Sequence, residues 1–100
     1  MIYLENEKDF NEIISKGVVL VDFYANWCGP CQLISPIVEK IAQERKDITV
    51  VKVDVDKFEN IARNYKVMSI PTLIVFKEGK DLKTNVGYIE EKDILKLLEI

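Results

Sequence analysis

The stretch VVLVDFYANWCGPCQ, Val18–Gln32, joins two kinds of pattern that meet at a pair of cysteines. Its first part, Val18–Tyr24, is a nearly continuous run of β-branched and aromatic residues, the composition of a strand covered on both faces. Its second part holds Cys28 and Cys31, the only cysteines, around Gly29 and Pro30 and beside Trp27, the only tryptophan. Pro30 suits the first turn of a helix, because the N–H it lacks would have no partner there. Ile34, Ile37, Val38, Ile41 and Ala42 then recur at helical spacing, with Glu39, Lys40, Gln43 and Glu44 opposite them. Pro36 falls inside this helix and predicts a kink. The cysteines therefore sit where a buried strand passes into a helix.

Working outward, Ile48–Val55 is a second apolar run and completes a strand–helix–strand unit. Ile2–Leu4 reads as a short first strand. Asn6 can cap a helix with Phe10, Ile13 and Ile14 on one face, and Gly17 can end it. Asp56 with Glu59 resembles a capping box ahead of a short helix through Phe58, Ile61 and Ala62. Thr72–Phe76 is a strand, Glu78-Gly79 turns the chain, and Leu82–Tyr88 returns beside it. The last helix carries Ile94, Leu95, Leu97 and Leu98 and has the poor N-cap Glu90. This order predicts an α/β fold: a βαβ half, a ββα half, and one mixed sheet with helices on both faces. All 100 residues are expected to form a single domain.

Hydrophobic residues are 48% of the chain and charged residues 31%, enough apolar material for one core without a metal or a disulfide. The net charge of −3 argues against a nucleic-acid or anionic-membrane surface. The acidic N-terminal stretch is not expected to act as a signal peptide, and no run has the ~20 apolar residues of a membrane span. A cytoplasmic monomer is the expectation. Where thiols are kept reduced, a close cysteine pair is more often catalytic or metal-binding than structural.

Three uses of the pair compete. A zinc site needs four ligands, and the chain offers two cysteines and no histidine, so no metal is expected within one chain. A structural staple across so short a loop removes little unfolded-chain entropy. A redox couple fits the local physics. Cys28 would lie at a helix N-terminus, where unpaired N–H groups and the positive dipole end favour a thiolate. From Phe23 to Val38 no side chain is charged, so thiolate stabilisation would come from the helix end and from hydrogen bonds. Cys31, one turn on, would be the more buried and less reactive thiol. Cys28 would then attack a target disulfide and Cys31 would resolve the mixed disulfide.

Resolution requires a proton to leave Cys31. With no histidine, a carboxylate is the available acceptor, and Asp22 interrupts the apolar strand that leads to the cysteines. Burial would raise its pKa toward a useful range. The competing reading puts Asp22 on a solvated face by simple alternation. Lys52, in the second apolar run, could neighbour Asp22 and tune it, or reach solvent on its long stem.

The segment Val21–Cys31, VDFYANWCGPC, resembles the active site of the thioredoxin family, and Ile70-Pro71-Thr72 followed by Leu73–Gly79 resembles its cis-proline loop and hairpin. Pro36, Lys52 and Gly87 fall at matching intervals, so the resemblance covers nearly the whole chain. It implies a thioredoxin fold and a protein-disulfide reductase. Cys28 would be the nucleophile, Cys31 the resolving cysteine and Asp22 a buried acid/base. It implies a cis bond before Pro71, where a trans bond would otherwise be the ordinary expectation. Trp27, Gly29, Pro30, Ile70, Pro71, Gly87 and Val55 would form a docking patch for extended protein substrates, with Lys52 in support. Electrons would pass through the cysteine pair without a cofactor. A separate thioredoxin reductase-type donor would restore them, because the chain has no Gly-rich dinucleotide fingerprint. Gln32, Met68, Ser69, Tyr24 and Tyr88 depart from the common family pattern. A glutaredoxin-like or isomerase-like carrier, or a docking module on the same fold, are the alternative readings.

Overall fold

The computed structural model describes all residues from Met1 to Ile100. Its strands are β1 (Ile2–Tyr3), β2 (Val18–Tyr24), β3 (Thr49–Asp54), β4 (Thr72–Lys77) and β5 (Lys80–Val86). Its helices are α1 (Phe10–Ile14), α2 (Gly29–Glu44), α3 (Glu59–Asn64) and α4 (Glu91–Leu97). The strands form one sheet in the order β1-β3-β2-β4-β5. β1 and β2 run parallel to β3, while β2 with β4 and β4 with β5 are antiparallel. This is the mixed sheet the strand and helix order predicts.

Alternation along the strands divides the core into two layers. Val19, Val21 and Phe23 of β2 face α1 and α3, packing with Phe10, Ile14, Phe58 and Ile61. Leu20 of β2, Val50 of β3 and Leu73 and Val75 of β4 face α2 and α4, meeting Ile34, Val38, Ile41 and Ile94. Phe76 anchors the first layer, with edge-to-face rings from Phe10 and Tyr65 at centroid distances of 6.1 and 5.3 Å.

Asn6 accepts from Lys8 N at 3.0 Å and caps a 3-10 turn (Glu7–Asp9) that leads directly into α1. Gly17 follows with φ +67° and turns the chain into β2. α2 is continuous through Pro36. The hairpin is tighter than the apolar pattern implies. Glu78 and Gly79 both have positive φ, 50° and 85°, and β5 starts at Lys80. β5 is an edge strand, so Lys80, Asp81 and Lys83 stand in it without cost and hid its start from a hydrophobicity reading.

The capping box at Asp56 does not form. α3 begins at Glu59, and its N-cap is Phe58 with no side-chain bond. Asp54 Oδ1 instead accepts from Asp56 N at 2.9 Å, and the Asp56 carboxylate is engaged elsewhere, by Trp27.

Truncating the aromatic anchor tests this packing. Phe76→Ala should lower unfolding free energy by about 3–5 kcal/mol, as for other buried aromatics. A urea titration checks it, and a loss below about 1 kcal/mol would show that the layer does not depend on this ring.

Candidate active site

β2 ends at Tyr24, and after a four-residue connection the chain enters α2 at Gly29. Cys28 is the N-cap of that helix, with extended backbone at φ −88° and ψ 114°. Its Sγ accepts a hydrogen bond from Cys31 N at 3.1 Å, the position a Ser or Asp oxygen holds in an ordinary N-cap. A negative sulfur there gains both from this N–H and from the positive end of a 16-residue helix. Pro30 lies in the first turn, as its missing N–H requires.

Cys28 and Cys31 are joined as a disulfide, with Cα atoms 5.3 Å apart. Burial does not separate them as expected, since Cys28 is 4% exposed and Cys31 3%. The difference lies in their surroundings. Cys28 Sγ receives the helix N–H and lies 3.8 Å from the carbonyl oxygen of Ile70. Cys31 lines a cleft of about 230 Å³ shared with Tyr24, Ser35 and Lys52.

The Ile70–Pro71 bond is cis, as the resemblance implies. Gly87 N donates to Pro71 O at 2.8 Å, and Asn85 Nδ2 donates to Gly87 O at 3.1 Å, so the end of β5 is tied to the proline loop. Gly87 has φ +97°, a conformation that a side chain would strain. Val55 and Ile70 pack against the small cluster of Ala25, Cys28 and Cys31. Trp27 is 71% exposed, and its Nε1 donates to Asp56 Oδ2 at 2.8 Å. The residues assigned to the docking patch thus surround one disulfide, with Gly29 and Pro30 open to solvent.

Asp22 is not on a solvated face. It is completely buried, on the side of β2 that faces α2, and neither carboxylate oxygen has a hydrogen-bond partner in the protein. Desolvation pushes its pKa up from 3.8 to about 6, and the nearby Lys52 charge works in the opposite direction. Lys52 is its register partner on β3, with Nζ 3.9 Å from Asp22 Oδ2. Lys52 does not reach solvent. It is 5% exposed, donates to Ser35 Oγ at 2.7 Å and lies 4.4 Å from the centre of the Tyr24 ring. Asp22, Lys52, Ser35 and Cys31 therefore share the face of the sheet covered by α2.

Two residues at the site escaped the sequence reading. Asp56 looked like a helix cap, although β3 and β2, the strands that lead to Asp56 and Trp27, are parallel neighbours with Tyr24 opposite Asp54, which brings the two turns out side by side. Ser35 gave only a spacing signal, four residues after Cys31. No cluster of three or more His, Cys, Asp or Glu side chains comes together in a way that could hold a metal ion. A larger cleft, about 380 Å³, is lined by Val55, Arg63, Lys66 and Met68 among others, and holds neither cysteine. No helix is long and apolar enough to cross a membrane.

The thioredoxin family model matches residues 1–99. A thioredoxin of Mycoplasmoides gallisepticum is 43% identical over 100 residues, covering 99% of this chain and 100% of that one. A thioredoxin of Chlamydia trachomatis is 41% identical over 98 residues, covering 98% of this chain and 96% of its own. Among solved structures, a mutant thioredoxin from Halobacterium salinarum superposes with a TM-score of 0.91 at 39% identity, over 98% of this chain and 87% of that one. A sheet, a helix-capping cysteine pair and a whole-length sequence match all point the same way: the chain belongs to the thioredoxin family of thiol–disulfide oxidoreductases.

Proposed function

We propose that the chain acts as a single domain that reduces disulfides of cytoplasmic proteins, with Cys28 as nucleophile, Cys31 as resolving thiol and Asp22 as proton acceptor. The observation that carries this reading is the N-cap geometry of Cys28, whose Sγ receives the Cys31 N–H. In the dithiol form, the Cys28 thiolate attacks one sulfur of a target disulfide. The target S–S bond breaks, one target thiolate leaves, and Cys28 is joined to the other target sulfur. The Cys31 thiol then gives its proton to the Asp22 carboxylate. The resulting thiolate attacks Cys28 Sγ, the mixed disulfide breaks, and the second target thiolate departs and is protonated. Two electrons have moved to the target and the Cys28–Cys31 disulfide remains. A separate reductase of the thioredoxin-reductase type returns them, and no further cofactor takes part.

An extended target segment would lie across Ile70, whose carbonyl already faces Cys28 Sγ, and pair with it backbone to backbone. Trp27, Gly29, Pro30, Val55, Pro71 and Gly87 offer the flanking surface. The absence of charge from Phe23 to Val38 favours tolerance of many protein partners over one small substrate. Lys52 supports Asp22 by holding a positive charge near it.

Trapping tests the cysteine roles. Cys31→Ser should still attack a disulfide protein and accumulate a mixed disulfide on a non-reducing gel, whereas Cys28→Ser should form none. Reductase activity retained by Cys28→Ser would overturn the assignment.

Asp22→Asn should slow release of the mixed disulfide by roughly 100-fold while leaving the first attack nearly unchanged, as expected for loss of one positioned proton acceptor. Stopped-flow rates for the two steps decide the matter, and equal slowing of both would refute the role.

Burial of Asp22 also shapes stability. Its folded pKa, about 6, lies above the ordinary 3.8, so between these values the folded state binds more protons than the unfolded one. Stability therefore falls as pH rises from about 4 through 6, by about 3 kcal/mol in all, and then levels. Asp22→Asn should lack this decline. Parallel denaturant curves at pH 4 and pH 7 check it, and identical pH dependence in both proteins would contradict it.

A further inference from the structure

Ser35 stands one helical turn beyond Cys31 on α2, in the interior of the helix. Its Oγ is the acceptor for the buried ammonium of Lys52, at 2.7 Å. Lys52 Nζ is 3.9 Å from Asp22 Oδ2, outside hydrogen-bond reach, although both side chains are almost wholly shielded from water. Two opposite charges in such a place ordinarily close to about 2.7–2.9 Å, since a charge-assisted hydrogen bond gains strength at low dielectric. Here the carboxylate keeps both oxygens without a partner. The ammonium is held from the helix side by the Ser35 hydroxyl and lies near the faces of two rings, Tyr24 at 4.4 Å and Tyr3 at 5.6 Å from their centres.

We infer that Ser35 is a positioning residue whose hydroxyl anchors Lys52 away from Asp22, so that the carboxylate keeps its oxygens free for the proton of Cys31. This rests on the assignment of Asp22 as proton acceptor. Among the groups around the pair, the Ser35 hydroxyl is the acceptor to which Lys52 Nζ donates. β1 contributes Tyr3 and β2 contributes Tyr24, both as rings beside the ammonium. β3 adds Asp54, which lies opposite Tyr24 at the strand end and accepts from Asp56 N and Lys57 N. β4 places Leu73 opposite Asp22, and α4 reaches this layer through Ile94. α2 brings Cys31, Gln32 and Ser35 to the cleft that Lys52 lines, with Gln32 Nε2 donating to Asn26 O at its rim.

The test compares the wild type with Ser35→Ala and Ser35→Thr. Alanine is the best helix former, so the first variant keeps α2 intact. The titration midpoint of Asp22 is read from its side-chain carboxyl carbon by NMR in the disulfide form, independently of turnover. Without the hydroxyl, Lys52 turns to the nearest remaining acceptor, Asp22, and the midpoint should fall by at least about half a pH unit. Ser35→Thr should restore the wild-type midpoint. An unchanged or raised midpoint in Ser35→Ala would overturn the inference, because a residue that only packs would leave the titration where it was. The pH profile of mixed-disulfide release, measured on the same variants, should shift downward with Asp22. A fallen midpoint with an unshifted release profile would uphold the anchor and overturn Asp22 as the proton acceptor.

Discussion

Strand β2 is hydrogen-bonded to β3 on one side and β4 on the other, and both of its faces are roofed by helices. No part of it can shift without breaking two ladders and two packed layers. Its carboxyl end is therefore held from both sides and both faces, and α2 starts a short connection beyond it. Everything chemical follows from that fixed handover. The N-cap position falls on Cys28, the next turn brings Cys31, and the turn after that sets Ser35 against Lys52 of the neighbouring strand. The antiparallel neighbour β4 begins just after Pro71, so the loop before it reaches the same end of the sheet. The βαβ and ββα halves are joined through the central β2–β4 ladder, and their loops meet at one end of it.

The same rigidity explains how the fold tolerates a carboxylate with no hydrogen-bond partner. A charge in that position opposes folding, and a lysine nearly 4 Å away offsets only part of the cost. The surrounding layers supply the difference, with Leu20, Ile34 and Leu73 wholly buried on the same side of the sheet. A sheet that could relax would expose Asp22 or close the ion pair. Held still, the group keeps its pKa raised by burial to about 6, in a chain that has no imidazole.

The parts that sequence alone made legible were those governed by local pattern. The apolar run of β2 and β3, the helical spacing after Pro30 and the turn glycines each answer to backbone and burial rules that act over a few residues. Cys28 was readable for the same reason, since a cap is a local structure. Asp22 was read as buried from its place in an apolar strand beside the cysteines and from the resemblance, not from alternation, which carries no sign in a strand apolar on both faces. Lys52 was ambiguous: a long stem serves a buried and a solvated head alike, and the hydroxyl that decides between them lies 17 residues away in the chain. Asp56 misled by chemistry. A carboxylate three residues before a glutamate has the form of a helix start, but an indole N–H from a parallel strand end competed for it and won.

The bond between Trp27 and Asp56 also has an optical side. Because the chain has one tryptophan, every photon emitted from an indole originates beside the Cys28–Cys31 pair. Its hydrogen bond to Asp56 fixes the ring's orientation while 71% of the residue stays in contact with solvent. The emitter therefore sits within the proposed docking surface, one residue from the Cys28–Cys31 disulfide. With no second indole elsewhere, any change in emission reports on this one place in the fold.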